Sequence, residues 1–206
     1  MVDESIPAEV IEQINRPGFF FVQIGANDGV FYDPIRRWIV KHDWSGVMFE
    51  PQAECVEKLN ALYSGNPKIR ISNLGIAKES GKRKLYRHAF GSGCHSLLLR
   101  REHCDGDSFD EIDCITFDQA VRIYGIRHID LLTIDTEGYD LQILDSLDLD
   151  LIKPQNIWFE KWVHDFDDMN NQDQPTSFEQ NFHIVQRFID AGYSLTDYDA
   201  NVMLSR

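Results

Sequence analysis

A chain of 206 residues, 43% hydrophobic and 26% charged, has globular proportions and the length of one domain, which excludes disorder throughout. Its net charge of −14 has the wrong sign for a general nucleic-acid-binding surface. The longest strongly apolar stretch, Phe19-Phe20-Phe21-Val22, stops at Gln23, far short of the roughly 18 residues a membrane span needs.

The start, Met1-Val2-Asp3-Glu4-Ser5, is acidic where a secretory signal is basic, and no apolar region follows. The expected location is therefore the cytoplasm. In that reducing setting Cys55, Cys94, Cys104 and Cys114, none in Cys-x-x-Cys spacing, read as thiols rather than a disulfide framework. Charge is unevenly spread. Residues 135–179 hold twelve acids and two bases, whereas residues 80–101 hold Lys82, Arg83, Lys84, Arg87, Arg100 and Arg101 and no acid. The acidic run reads as solvated faces, or as a rim beside a cationic ligand. The basic run reads as an exposed strand and loop, or as a receiver for a phosphate or carboxylate.

In chain order, residues 7–16 form an amphipathic helix on Val10, Ile11 and Ile14, stopped by Pro17-Gly18. Phe19 to Ile24 is a buried parallel strand. Asp33-Pro34 caps and opens a helix to about His42. Val47 to Glu50 is a second strand, and Pro51 starts a helix carrying Cys55, Val56, Leu59 and Leu62. Ile69 to Ile76 is a third strand and Lys82 to Arg87 a fourth. Residues 88–112 lack any period and read as a long lid loop. Asp113 to Thr116 is extended, and Thr116 with Gln119 forms a capping-box signature for a helix ending at Gly125. Ile129 to Asp135 is a buried strand, followed by a helix from Tyr139 to Leu147. Asn156 to Glu160 is the next strand, residues 163–176 a loop, and Ser177 caps a helix through Ala191, stopped by Gly192. Ser194 to Tyr198 and Val202 to Ser205 close the chain as an antiparallel hairpin. Strands alternating with helices predict an α/β domain with a mostly parallel sheet, whose ligands bind beyond the carboxyl ends of the strands.

Three strand ends carry the chemistry. The first leads into Gly25-Ala26-Asn27-Asp28-Gly29, a Gly-x-x-x-Gly turn rather than the Gly-x-Gly-x-x-Gly dinucleotide fingerprint. It is either a plain tight turn or a close backbone approach to a ligand. The second ends in Glu50-Pro51, where an acid can accept both hydroxyls of a ribose or simply cap a helix. The third ends in Asp135-Thr136-Glu137-Gly138. A carboxylate leaving a buried strand needs a partner or a ligand, while Glu137 alone could merely favour the next helix N-terminus.

The segments FVQIGANDGVF, GVMFEP and TFD…HIDLLTIDTEGYDLQIL, in this order and spacing, resemble the FkbM-type S-adenosylmethionine-dependent methyltransferases, over about residues 19–160. The resemblance implies a class I methyltransferase fold: Rossmann-like, doubly wound, with a mostly parallel seven-stranded sheet whose last strand is antiparallel. Residues 1–206 would form one such domain. It implies S-adenosylmethionine as cofactor, with S-adenosylhomocysteine as product. Gly25, Ala26, Asn27, Asp28 and Gly29 would approach its methionine part. Glu50, followed by Pro51, would hold the ribose, and Gly75, Ile76 and Ala77 would flank the adenine. Asp135 and Glu137 would lie near the methionine amine or the transfer centre. Gln23 departs from the family pattern, which places an acid there in many members; Asp28 or Asp135 would replace that contact.

The activity this implies is methyl transfer, to a hydroxyl on a small-molecule or glycan acceptor. Candidate bases for the hydroxyl proton are Asp135, His95, Glu137 and His164. The rival readings are a non-catalytic S-adenosylmethionine-binding module and a nicotinamide-dependent oxidoreductase, the latter opposed by the missing fingerprint. No metal is expected. Cys94-His95 and His103-Cys104 lack zinc-site spacing, although Asp135, Glu160 and His164 are residue types that bind a divalent ion. Trp158 reads as packing, and Trp162 as the better candidate to touch an acceptor. Acceptor identity and oligomeric state are left open at this level.

Overall fold

Alternation along the first strand sets the layers. Phe19 and Phe21 point into one apolar cluster, Val22 and Ile24 into another, as the period of two requires. The computed structural model describes residues 6–88, 94–99, 108–161 and 178–206. Its elements are α1 (Ala8–Ile14), β1 (Phe20–Ile24), α2 (Arg36–His42), β2 (Ser45–Phe49), α3 (Ala53–Leu62), β3 (Ile69–Ser72), β4 (Gly75–Ile76), β5 (Gly81–Tyr86), β6 (Phe109–Ile115), α4 (Phe117–Ile123), β7 (Leu131–Ile134), α5 (Asp140–Ser146), β8 (Asn156–Glu160), α6 (Phe182–Asp190), β9 (Ser194–Tyr198) and β10 (Asn201–Ser205).

Seven strands form one sheet in the order β3-β2-β1-β7-β8-β10-β9. Pairing is parallel from β3 through β8, and β10 runs antiparallel to both β8 and β9. Val10, Ile11, Trp38, Ile39 and Leu59 cover one face from α1, α2 and α3. Phe117, Leu141, Leu144, Val185 and Phe188 cover the other from α4, α5 and α6. This is the doubly wound, mostly parallel α/β sheet with an antiparallel last strand that the sequence implied. Strand order reverses between β1 and β7, so their carboxyl ends flank a crevice.

Three boundaries differ from expectation. The run Ile69 to Ile76 is two strands, not one. The Asn73 side chain donates to the carbonyls of Glu50 (3.1 Å) and Pro51 (2.8 Å), and the chain turns there. Gly75–Ile76 then pairs with β6 in a separate three-stranded sheet, β4-β6-β5. The extended piece at Asp113 begins earlier, at Phe109, so residues 109–112 are strand rather than lid. In β6 only Ile112 and Cys114 are buried, so its first half, Phe109 to Glu111, carries no buried residue from which a strand period could be read. The last long helix begins at Phe182; Ser177, its expected cap, lies outside the described residues, as does the loop at residues 163–176.

Much of the basic run is paired. Lys82 bonds Glu111 (2.5 Å), Arg83 bonds Glu79 (2.9 Å) and Arg87 pairs with Asp110; Arg100 and Arg101 lie outside the described residues. Trp158 is buried against Tyr198. No helix among the described residues is long and apolar enough to cross a membrane.

The capping box at α4 is complete: Thr116 Oγ1 accepts from the Gln119 N–H (3.2 Å) and Gln119 Oε1 accepts from the Thr116 N–H (3.1 Å). Thr116→Ala is expected to lower unfolding stability by about 1 kcal/mol, read in a urea titration. An unchanged midpoint would show that packing of Phe117 alone holds the helix start.

Candidate functional site

The crevice at the carboxyl ends of β1, β2, β7 and β8 is a cleft of about 280 Å³. Its floor is the turn after β1. The Gly25 and Ala26 N–H groups donate to the Phe49 carbonyl (2.9 and 3.2 Å), and the Asp135 N–H donates to the Ile24 carbonyl (3.0 Å). Gly25 has φ +79°, and a Cβ there would stand 1.7 Å from the Asp135 carbonyl oxygen. Only glycine fits this seam between strand ends. Asn27 (φ +46°) and Glu137 (φ +56°) are also left-handed, and both line the cleft. Such backbone in non-glycine residues is costly and concentrates at ligand sites.

Glu50 is buried at the end of β2. Its Oε2 accepts from the Asn27 N–H (2.8 Å) and its Oε1 from the Gln52 N–H (2.9 Å). A carboxylate has about four lone-pair sites, so each oxygen can still accept a hydroxyl. Both expected roles, binding and local capping, are therefore compatible. Beyond Glu50, Gly75, Ile76, Leu85, Leu97 and Ile112 form an apolar wall, supplied largely by the small sheet. A Cβ on Gly75 would meet Cys114 Sγ at 2.7 Å.

On the opposite side, Asp135, Thr136 and Glu137 enter the cleft after β7, with Glu160 after β8 and Ala200 and Asn201 from the final hairpin. Asp140, fully buried, fixes this loop: one carboxylate oxygen accepts from the Thr136 N–H (3.2 Å) and hydroxyl (2.8 Å). Burial pushes the Asp140 carboxyl up. Its place four residues after Thr136 was the signal available in the sequence, and sequence reading passed over it.

From segment 94–99, Cys94, His95 and Leu97 line the cleft. The Tyr86 and Ser96 backbones bond in both directions (2.8 and 3.2 Å), and Ser96 Oγ donates to the Glu137 carbonyl (2.9 Å). This holds His95 on the cleft wall. Burial lowers the His95 pKa, which favours neutral imidazole, and its buried Nδ1 has no partner among the described residues. The mouth carries Phe31 and Tyr32, edge to face at 4.2 Å. They are 59% and 45% exposed, unusual for adjacent aromatics in a polar turn.

Of the residues singled out from sequence, Gly25, Ala26, Asn27, Glu50, Pro51, Gly75, Ile76, His95, Asp135 and Glu137 line one cleft. Asp28, Gly29 and Ala77 stand behind it. Asp28 Oδ1 accepts from the Val30 and Phe31 N–H groups (both 2.9 Å), and a Cβ on Gly29 would strike Leu59 at 2.6 Å. Ala77 is core. His164, Trp162, His103 and Cys104 lie outside the described residues. Among the described residues no group of three or more His, Cys, Asp or Glu is gathered closely enough to hold a metal ion. Gln23, Phe31, Tyr32 and Asp33 also line the cleft; only Gln23 was marked as site-related in the sequence.

The model for the methyltransferase FkbM domain matches residues 23–195. No curated protein matches the chain. A methyltransferase FkbM from Methylobacillus flagellatus KT superposes with a TM-score of 0.52 at 12% identity, over 91% of this chain and 43% of the other. Fibrillarin from Aeropyrum pernix, in complex with natively bound S-adenosyl-L-methionine, superposes with a TM-score of 0.50 at 9% identity, over 93% of this chain and 66% of the other. At these identities the likeness is one of fold. The chain spans less than half the length of the first structure.

Burial pushes the Glu50 carboxyl above its ordinary value of 4.5, against the lowering effect of the Gln52 and Asn27 N–H donors. Between the unfolded and the raised folded value the native state holds more protons than the unfolded one. Glu50 therefore subtracts stability as pH rises through that window. The unfolding free energy of Glu50→Gln minus that of the unsubstituted protein is expected to increase as pH rises from 4.5 towards neutrality, in urea titrations at stepped pH. A difference independent of pH would mean that Glu50 titrates in the folded state as it does in water.

Proposed function

Because the chain belongs to the FkbM methyltransferase family, we propose that it is a cytoplasmic S-adenosylmethionine-dependent enzyme that methylates a hydroxyl on a small molecule or glycan, with residues 1–206 acting as one methyltransferase domain. The observation that carries this reading is Glu50, a buried carboxylate with both oxygens anchored and acceptor capacity to spare, set between the Gly25 seam and an apolar slot. A ribose fits the first feature, adenine the slot, and a close-lying chain the glycine seam. Family membership sets aside the nicotinamide oxidoreductase reading.

When bound, the cofactor supplies an electrophilic methyl on a positively charged sulfur. The protein's residues do the rest. Glu50 accepts the ribose hydroxyls and sets the depth of the nucleoside. Ile76, Leu97 and Ile112 exclude water from the base. Gly25 and Asn27 let the backbone approach the thioether chain. Glu160, Asn201 and the Phe31–Tyr32 pair bound the other end of the cleft, a mixture of acceptors and ring faces suited to a hydroxyl-bearing acceptor. Alignment of the hydroxyl with the methyl is the main catalytic contribution. Asp135, at the switch point, takes the hydroxyl proton. His95, whose pKa burial lowers, and Glu137 are the other candidate bases that line the cleft; His164 belongs to the same set of candidates from sequence.

Calorimetric titration is expected to give one-to-one binding of S-adenosylhomocysteine and none of NADH, with Glu50→Ala weakening the former by about tenfold or more, the loss of one or two charge-assisted hydrogen bonds. No binding to the unsubstituted protein would leave the glycine turn and Glu50 as structural features. Asp135→Asn is expected to lower kcat by about 100-fold or more while S-adenosylhomocysteine affinity changes little. An unaltered kcat would move the base to His95 or Glu137, and cofactor binding without turnover on any acceptor would favour the non-catalytic module.

A further inference from the structure

Val30, Phe31 and Tyr32 are 56%, 59% and 45% exposed. Among the described residues the other exposed large apolar side chains, Val40, Phe109, Ile123 and Phe182, stand singly along the chain. A single exposed apolar residue is ordinary, whereas a contiguous group marks an interaction surface. The turn itself does not need these side chains. Asp28 Oδ1 accepts from the Val30 and Phe31 N–H groups (both 2.9 Å), and Asp33 Oδ1 accepts from the Ile35 and Arg36 N–H groups (2.8 and 2.6 Å). Two aspartates therefore shape the loop from β1 to α2 through backbone groups. Tyr32 also has φ +54°, a backbone that is costly for a large side chain and ordinary for asparagine or glycine. Neither the exposure nor the strain favours folding, so the gain lies in what the rings cover.

The two rings meet edge to face, with centroids 4.2 Å apart and planes at 79°, and both line the cleft. Together they make a flat-walled corner. The same cleft carries Glu160, Ala200 and Asn201 from the end of β8 and the final hairpin. That wall is fixed in place: the Lys161 N–H donates to the Ala200 carbonyl (3.0 Å), and Asn201 stands opposite Glu160 in the β8–β10 register. Asn201 brings an amide with donors and an acceptor, and Glu160 a carboxylate. The mouth thus combines ring faces with hydrogen-bonding groups. An aromatic acceptor would cover the rings but leave polar groups dry and unpaired. A flexible alkyl alcohol has no flat face to offer. A pyranose has a face of C–H groups and a rim of hydroxyls, each both donor and acceptor.

We propose that Phe31 and Tyr32 are the seat of the methyl acceptor and that the acceptor is a pyranose ring, its C–H face laid on the aromatic corner and its hydroxyls turned to Glu160 and Asn201. This rests on the methyltransferase reading above and narrows its acceptor to a sugar. With a nucleoside on Glu50 and the small-sheet wall, the corner stays open at the cleft mouth. The rings carry no charge, so their contribution is dispersion and exclusion of water. How the sugar lies on them selects which hydroxyl comes into line with the methyl.

The test is saturation-transfer difference NMR on the protein saturated with S-adenosylhomocysteine. The probes are the methyl pyranosides of glucose, galactose, mannose and rhamnose, with catechol and hexanol beside them. Transfer is expected to the C–H protons on one face of at least one pyranoside, and not to catechol or hexanol. Phe31→Ser and Tyr32→Asn are each expected to weaken that pyranoside by about tenfold or more. Asparagine keeps the left-handed backbone while removing the ring. S-adenosylhomocysteine affinity, read by calorimetry, is expected to stay within about twofold in both variants, which certifies the fold and the nucleoside end. Ile123→Ser, at an exposed position on α4 that is not among the cleft's described lining, is expected to change neither ligand. Transfer to no pyranoside, transfer to catechol alone, or pyranoside transfer that persists in the double variant would each overturn the proposal. So would equal losses of pyranoside and S-adenosylhomocysteine, because the rings would then serve the cofactor. An unsubstituted protein that does not bind S-adenosylhomocysteine overturns the cofactor reading, and with it the pyranose's role as methyl acceptor.

Discussion

The approach of Gly25 to the Asp135 carbonyl is the constraint on which the site depends. Two parallel strands adjacent in the sheet end at the same level, and the chain from each must leave without colliding. The 1.7 Å that a Cβ would have to the Asp135 oxygen leaves glycine as the residue compatible with that spacing. The backbone of the first turn consequently lies flat against the strand ends. Its N–H groups face Phe49 and Glu50, and the cleft opens above it.

Around this seam the structure collects buried carboxyls, and each accepts from backbone N–H groups, with the Arg36 charge also acting on Asp33. Glu50 takes Asn27 and Gln52, Asp33 takes Ile35 and Arg36, and Asp140 takes Thr136. Neutral donors orient a carboxylate without cancelling its charge. Burial pushes all three pKa values up, which is the signature of unpaid desolvation. A site built in this way gains most from a ligand that brings positive charge and hydroxyl donors, and a sulfonium nucleoside brings both. The acidic balance of residues 135–179 is consistent with this at long range.

The small sheet β4-β6-β5 has a separate role. It diverts the chain away from β3 and supplies the apolar wall at one end of the cleft, through Ile76, Leu85 and Ile112. Ser96 then ties segment 94–99 both to β5 and to the loop after β7. That double attachment holds His95 and Leu97 on the cleft wall. The two sheets also share one apolar core, with Ile76, Leu85, Ile112 and Cys114 in the same cluster as Val22, Ile24, Phe49 and Ile134.

Most of the main sheet was legible in the sequence because its signals are short-range. Mostly apolar runs at Phe19 to Ile24, broken by Gln23, and at Ile129 to Ile134, broken by Asp130 and Thr133, mark strands buried on both faces. Thr116 with Gln119 marks a helix start, and Glu50 and Asp135 mark strand ends by the abrupt change from apolar to acidic. These depend on neighbours a few residues away, as do the turn glycines. What the tertiary structure alone decided depends on distant partners. Asn73 divides one expected strand between two sheets because Glu50 and Pro51 offer it carbonyls from 23 and 22 residues upstream. The strand at Phe109 exists because β5 pairs with it. Gln23 in the sequence is a missing acid; in the structure it is an amide whose orientation Asp33 dictates from the entry to the next helix. Periodicity records which face of an element is buried, but not which polar group waits across the gap, and that second fact decides what the site can hold.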